Sequence, residues 1–506
     1  MSRAVRFFLI PDLALTGAVF TLFYALFLFD APRKLFRDSD TGWHIRSGET
    51  IIQTGKLPRT DPYSWSRQGS EWLAWEWSAD VILGIAHIRG GLPGVTLLYL
   101  ALLSICSWLW FRLTWAAGGD FLLSCVLASP MLSTVNLHWL ARPHIFGWLL
   151  LLAWVWCAER PPIRSRWWHA VAAFLAGSAW ANLHASFFLL PATAVLYAIG
   201  YWLRPLLWTV EPDADFRAAR WFAVVATTAA AGSFLNPYGW LLHQHVFSYL
   251  TNRELLERIG EFQSFNFHNP GSIQILLALA IAGIGAVFAL DQGRLGRFFL
   301  LGGMCLLALR SARGLPLVAL LLPLANGSIT EGLRKMELRP WIRGKVDGFL
   351  AYGRNLRALD SPFRGYAWAP LMLLAAGWIL WQPSLHARTG FPPEEFPVLA
   401  ASAVEGLPGS ARLFAPDKFG GYLIYRFQGE RKVYFDGRSD FYGVRFMKRY
   451  IDFVQVRPGW DGMIETEGFT HALVPVNYSL AAVLPLIGWT ERYRDSTAVL
   501  LERPTR

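Results

Sequence analysis

Charge is what this sequence has little of. Of its 506 residues only 16% are charged while 54% are hydrophobic, and soluble proteins carry about 25% charged residues. A chain so poor in charge cannot clothe the three or so water-facing domains that its length would otherwise allow. Cysteine is scarce as well. Cys106, Cys125, Cys157 and Cys305 all fall inside apolar runs, with no CxxC pair and no histidine at metal-like spacing. They read as small hydrophobes, which excludes a disulfide framework and a redox role. No internal repeat or low-complexity tract is visible. The first apolar run, 13–29, follows Arg3 and Arg6 and is followed by "DAPRKLFRDSD" with no A-x-A-like cleavage site, so it reads as a retained signal anchor.

What abounds is aromatic and apolar: 25 Trp and 35 Phe. Uncharged stretches near the 17 to 25 residues or so that a bilayer needs recur at 13–29, 92–111, 121–141, 143–158, 167–203, 221–235, 272–290, 298–309, 314–330 and 367–382. The stretch 167–203 holds two crossings that turn at "NLHAS", giving about eleven in all. The weakest are 298–309, which is short, and the cramped turn within 167–203; either reads equally as a re-entrant half-helix. With the N-terminus inside, Arg112, "ERPPIRSR", Arg204 to Arg220, "DQGRLGR" and the arginine-rich 331–365 loop all fall on the cytoplasmic side, as positive-inside requires. The formal net charge of +11 is then mostly a topological signal and implies no nucleic acid.

The opposite side receives a long first loop (30–91), the "LARPH" turn, "NLH", the 236–271 loop, the "RSARG" turn and everything beyond about 384. Residues 1–384 read as a transmembrane domain. Residues 385–506, after the linker "RTGFPPEEFP", read as a small extracytoplasmic α/β domain with strand-like "ARLFA", "YLIYRF", "RKVYFD", "HALVPV" and "TAVLLER" and helical patterns at 443–456 and 479–486.

Asp38 and Asp40 lie just past the first run, before a helix expected from Thr41 or Gly42, with Asp40 or Thr41 as its cap. His44 lies one turn on, placed to share a face with Asp40. The Trp-rich "EWLAWEWSAD" reads as an amphipathic interfacial helix, with Glu76 and Asp80 fixing the loop. On the same side come Arg142 and His144, His184, Glu261, and Arg310 with Arg313, three apart and so on one helical face. Ionisable groups next to hydrocarbon mark a site by default. Carboxylates, histidines and arginines at one depth suit a lipid-linked anion, with guanidinium for phosphate and carboxylate for taking a proton or holding Mg²⁺ or Mn²⁺. In "VYFDGRSDFYG", two readings stand side by side: a turn fixed by Asp436 with Arg438 pairing Asp440, or an acceptor site. Gly420 and Gly421 form no GxGxxG phosphate loop.

The segments "DSDTGWHIRSGETIIQTGKLPRTDPYSW", "EWLAWEW", "ARPH", "NPYGW", "EFQSF" and "GGYLIYRF…RKVYFDGRSDFYG" are similar to a widespread group of bacterial membrane proteins that resemble the GT-C class of integral-membrane glycosyltransferases. The resemblance covers nearly the whole chain. It implies an inverting transfer of sugar from a polyprenyl-phosphate donor to a glycan, lipid or protein acceptor at the outer face of the inner membrane. It also implies that Asp38 and Asp40 supply the catalytic base or help hold a divalent metal, and that Arg142, Arg310 and Arg313 contact the donor phosphate. A monophosphate leaving group leaves the metal requirement open. No WWD-type signature is present, which argues against transfer to asparagine. Two other readings of such a chain are a non-catalytic subunit of a membrane assembly and a glycolipid carrier or flippase. The flippase predicts polar groups at mid-membrane, whereas here they gather at one face.

Overall fold

The computed structural model describes residues 2–28, 30–162 and 166–504. Phe29, at the end of the first apolar run, and 163–165, within "ERPPIRSR", lie outside the described residues. The chain is mostly helical, with one small sheet near its C-terminus.

Helices occupy each apolar run: Leu13–Phe27, Trp77–Ala117, Phe121–Val135, His144–Ala158, Trp167–Leu183, Leu189–Leu207, Pro212–Gly232, Ser272–Asp291, Leu295–Arg310, the pair Leu315–Leu320 and Leu322–Lys335, and Trp368–Leu380. The 167–203 stretch does divide at "NLHAS", where a short 3-10 turn, Ala185–Phe188, joins two helices. Among the described residues four helices are long and apolar enough to cross a membrane by themselves, or five if the pair bent by 50° at Leu321 is one span. Leu13–Phe27, His144–Ala158 and Trp368–Leu380 are apolar but shorter. The expected eleven crossings therefore exceed what length and composition establish.

The 41-residue helix Trp77–Ala117 holds a break in its middle. Gly91 takes φ 59°, a left-handed backbone that glycine tolerates best, and Pro93 cannot donate to the helical ladder. The part before the break packs against the helix Asp40–Thr54, while the part after it joins the bundle.

The expected interfacial helix at 71–80 is not formed. Residues 71–76 are irregular and helix begins only at Trp77. Trp72 is 3% exposed, with the Arg438 guanidinium 4.7 Å from its ring centroid and Trp43 set edge-on at 6.1 Å. A ring with protein on both sides has no reason to seek the membrane interface.

The C-terminal region carries a four-stranded sheet of order β1-β2-β4-β3. β1 (Leu413–Phe414) runs parallel to β2 (His471–Pro475), and β4 (Ala498–Glu502) and β3 (Thr490–Arg494) continue antiparallel. β2 is buried throughout, as an inner strand should be, and β3 is an exposed edge. "YLIYRF", expected as strand, belongs instead to the helix Asp417–Arg426. "RKVYFD" makes only an isolated bridge, Ser64 to Val433.

Candidate active site

The helix Asp40–Thr54 begins one residue before its expected start, and its N-cap is Ser39, whose side chain makes no capping bond. The Asp40 amide donates to Asp38 Oδ1 at 2.9 Å. That bond frees the Asp40 side chain from capping, and Arg142 receives it. Arg142 Nη1 lies 2.7 Å from Asp38 Oδ2 and Arg142 Nη2 lies 3.0 Å from Asp40 Oδ2, a guanidinium fork spread across both acids. Two bonds from its own loop hold Arg142 there. The Ala141 amide donates to Leu35 O at 2.7 Å, and Thr41 Oγ1 donates to Ala141 O at 3.1 Å. The network continues from Arg142 Nη1 to Glu261 Oε1, 3.3 Å, and from Glu261 Oε2 to Arg313 Nη2, 2.6 Å.

These residues line a cavity of 1340 Å³ that also takes in Arg310, His144 and His184. Arg310 and Arg313 do not share a helical face. The helix ends at Arg310, Ser311 is extended, and Arg313 sits in a 3-10 turn. Arg310 is exposed and meets no carboxylate within ion-pair distance among the described residues. His144 Nε2 donates to His138 O at 2.8 Å. His184 Nδ1 lies 2.7 Å from Ser186 Oγ. His44 is not part of the lining. It is 1% exposed, with Nδ1 2.6 Å from Asp80 Oδ1, and supports the loop from behind.

Two carboxyls here are pushed out of their ordinary range in opposite directions. Burial, reinforced by the like charge of Asp38, raises the Asp40 carboxyl despite Arg142. Burial also acts on Glu261, but Arg313 and Arg142 outweigh it and hold that carboxyl low. His184 is driven down to about 3 by burial and by Arg313 and Arg142, so it is a neutral imidazole at any physiological pH.

The C-terminal region closes one wall. A Cβ at Gly437 would stand 1.8 Å from Asp40 Oδ1, so only a glycine admits the acid there. Arg438 lies next to it, 2% exposed, and does not pair with Asp440. Its Nη2 reaches Asp436 Oδ2 at 2.7 Å and Asp61 Oδ1 at 2.8 Å, tying this segment to the first loop. Asp440 pairs instead with His245 Nε2 at 2.9 Å.

Glu76, read from sequence as a loop-fixing residue, also lines the cavity. Its oxygens stand 3.4 Å from His184 Nε2 and 3.8 Å from His44 Nε2, and burial pushes its carboxyl up to about 7. Its place in an acid-bearing, Trp-rich segment on the same side as Asp38 and Asp40 was the available signal.

Asp38 and Asp40 turn their oxygens to Arg142, and no group of three or more His, Cys, Asp or Glu arranged to hold a metal is found among the described residues. Mg²⁺ is commonly held by one or two carboxylates together with substrate phosphates, so Asp38 and Asp40 are the residues that would hold such an ion.

No protein-family model matches the chain, and no curated protein sequence does. Its structure is similar to that of the Archaeoglobus fulgidus oligosaccharyltransferase in the apo form, with a TM-score of 0.52 at 11% identity, over 92% of this chain and 69% of that one. At that identity the likeness is one of fold, and the fold is GT-C-like.

Proposed function

We propose that this chain is a membrane glycosyltransferase that takes a sugar from a polyprenyl-phosphate donor and passes it, with inversion, to an acceptor hydroxyl at the outer face of the plasma membrane. The observation that carries the reading is the gathering of the Asp38–Asp40 pair, Arg142, Glu261 and Arg313 in one cavity of a GT-C-like fold. The cavity, 1340 Å³, exceeds the roughly 300–1,000 Å³ of a site for one small ligand, which leaves room for donor and acceptor together. Phe188, Leu250 and Leu307 give it an exposed apolar flank suited to a prenyl chain.

In the reaction the acceptor oxygen bonds to the anomeric carbon as the bond from that carbon to the phosphate oxygen breaks, and the electron pair leaves with the phosphate. The acceptor proton passes to Asp40, whose carboxyl burial raises toward the range of a general base. Asp38 keeps Arg142 in place. Arg142 and Arg313 face the charge that grows on the departing phosphate, and Arg310, exposed and with no carboxylate partner among the described residues, meets the donor first. The N-terminus lies in the cytoplasm and the C-terminal region outside, and the helices too short to qualify singly supply the remaining crossings.

Purified protein is expected to consume a polyprenyl-phosphate sugar. Asp38→Asn and Asp40→Asn should each lower turnover by about 10²–10⁴-fold while the protein remains folded. Full activity in both variants overturns the mechanism. An inert wild type that co-purifies with fixed stoichiometric partners points instead to a non-catalytic subunit.

A further inference from the structure

A second cavity, of 710 Å³, opens where the first loop meets the C-terminal region, away from the acidic pair. Four cations line it: Arg412, Arg426, Arg431 and Lys432. Arg426 is paired with Glu405 at 3.3 Å, and Glu430 adds one further acid to the rim. The other three cations reach no carboxylate within ion-pair distance among the described residues and donate to carbonyls instead. Arg412 Nη1 bonds Glu467 O at 3.0 Å, Arg431 Nη2 bonds Leu407 O at 2.7 Å, and Lys432 Nζ bonds Gly429 O at 2.7 Å. A carbonyl fixes such a head without neutralising it, and guanidinium and ammonium keep further N–H donors to offer. Burial lowers the proton affinity of Arg431 and Lys432, a penalty that a bound anion relieves.

Two aromatic rings, Trp65 and Phe427, stand in the wall. The Arg412 guanidinium stands 5.7 Å from the Trp65 ring centroid, and that of Arg431 stands 6.0 Å from Phe427. Flat apolar faces beside fixed cations are what a charged sugar requires and what a bare ion does not use.

We propose that this cavity binds an acidic glycan, with Arg412, Arg431 and Lys432 on its carboxylate or phosphate groups and Trp65 and Phe427 beside its sugar rings. The ties between the two sites support a shared ligand. Trp65 N donates to Val433 O at 3.0 Å, and the same strand of chain runs from Lys432 in this cavity to Gly437 and Asp440 in the larger one. Eight residues span at most about 28 Å. That the glycan is the acceptor rests on the transferase reading; that it binds here does not.

The test is calorimetry on the purified full chain with oligogalacturonate and phosphomannan as charged probes and dextran as the neutral one. The charged probes should bind with an affinity that falls as salt rises, and dextran should not bind. The double variant Arg431→Ala/Lys432→Ala should weaken binding by about tenfold or more. If that variant does not fold, Arg412→Gln, at an exposed position, is read in its place. Asp38→Asn and Asp40→Asn should leave binding intact, so a failed transferase reading does not register here. Binding of neither charged glycan overturns the site, as does inorganic phosphate binding as tightly as the oligosaccharides, or capture by phosphatidylglycerol vesicles alone. Undiminished affinity in folded cavity variants overturns it too.

Discussion

Glu76 stands between two histidines and within ordinary hydrogen-bond reach of the nearer one only loosely, at 3.4 Å. Its carboxyl titrates near 7 in the folded chain against an ordinary 4.5, because burial penalises the charged form. The stability held by the neutral carboxyl is therefore complete below pH 4.5 and is lost as pH rises through 7. Glu76→Gln stays neutral throughout. Its melting temperature relative to the parent should climb between those two pH values and level off above them; a difference that does not change with pH would show that Glu76 is ionised at no cost. Sequence placed the carboxylate but not its titration, which depends on packing. The same limit governs Arg438. Its nearest acids in sequence are Asp436 and Asp440, yet its second partner is Asp61, 377 residues away, a pairing that no local pattern encodes.

At the scale of elements, the decisive contact is between two helices that meet backbone to backbone. A Cβ at Gly42 would stand 2.1 Å from Gly421 O, and one at Gly421 would stand 2.2 Å from Ser39 O. This explains the glycines of "GGYLIYRF": Gly421 seats the C-terminal region on the helix that carries Asp40, and Gly420 lets the segment before Asp436 approach, since a Cβ there would stand 2.0 Å from Phe435 O. It also explains why "YLIYRF" is helical although its aromatic and branched residues favour strand. β preference is weak, and burial on one's neighbours overrides it. Residues 419–424 are buried without interruption. Gly42→Ala should lower stability by about 1–3 kcal/mol, measured by denaturant or thermal melts, and should lower turnover too, because Asp40 moves relative to Arg142. Gly283→Ala, where a Cβ meets nothing within 4 Å, is the matched control and should do neither. Equal behaviour of the two variants would mean that the helices do not need this close approach.

Across the whole molecule, charge sorts into three groups. Some arginines read from sequence as topological are structural. Arg112 Nη2 lies 2.6 Å from Asp12 Oδ2 with both side chains buried, and Arg297 is bound to Glu159 in the same way. The exposed cations of 331–365 are Arg334, Lys335 and Arg339 ahead of the helix Pro340–Asp360 and Lys345 and Arg354 on it, and these are the ones that would set orientation. A periplasmic-type reporter such as alkaline phosphatase, fused after Pro504, should be active, and the same reporter fused after Arg339 should be silent; the reverse pattern would refute the orientation and the outer-face reaction with it. The third group, Arg142, Arg310 and Arg313, belongs to the cavity. By itself the sequence determined the membrane character, the places of the apolar helices and the set of acids and arginines brought to one end, because composition and helical period are local properties. Only the tertiary structure decided which acid meets which arginine, that Glu76 joins them and His44 does not, and that a C-terminal glycine walls in Asp40. Those contacts join residues far apart in the chain, 52 positions for Arg313 and Glu261 and 104 for Arg142 and Asp38, and they exist only once the helices have packed.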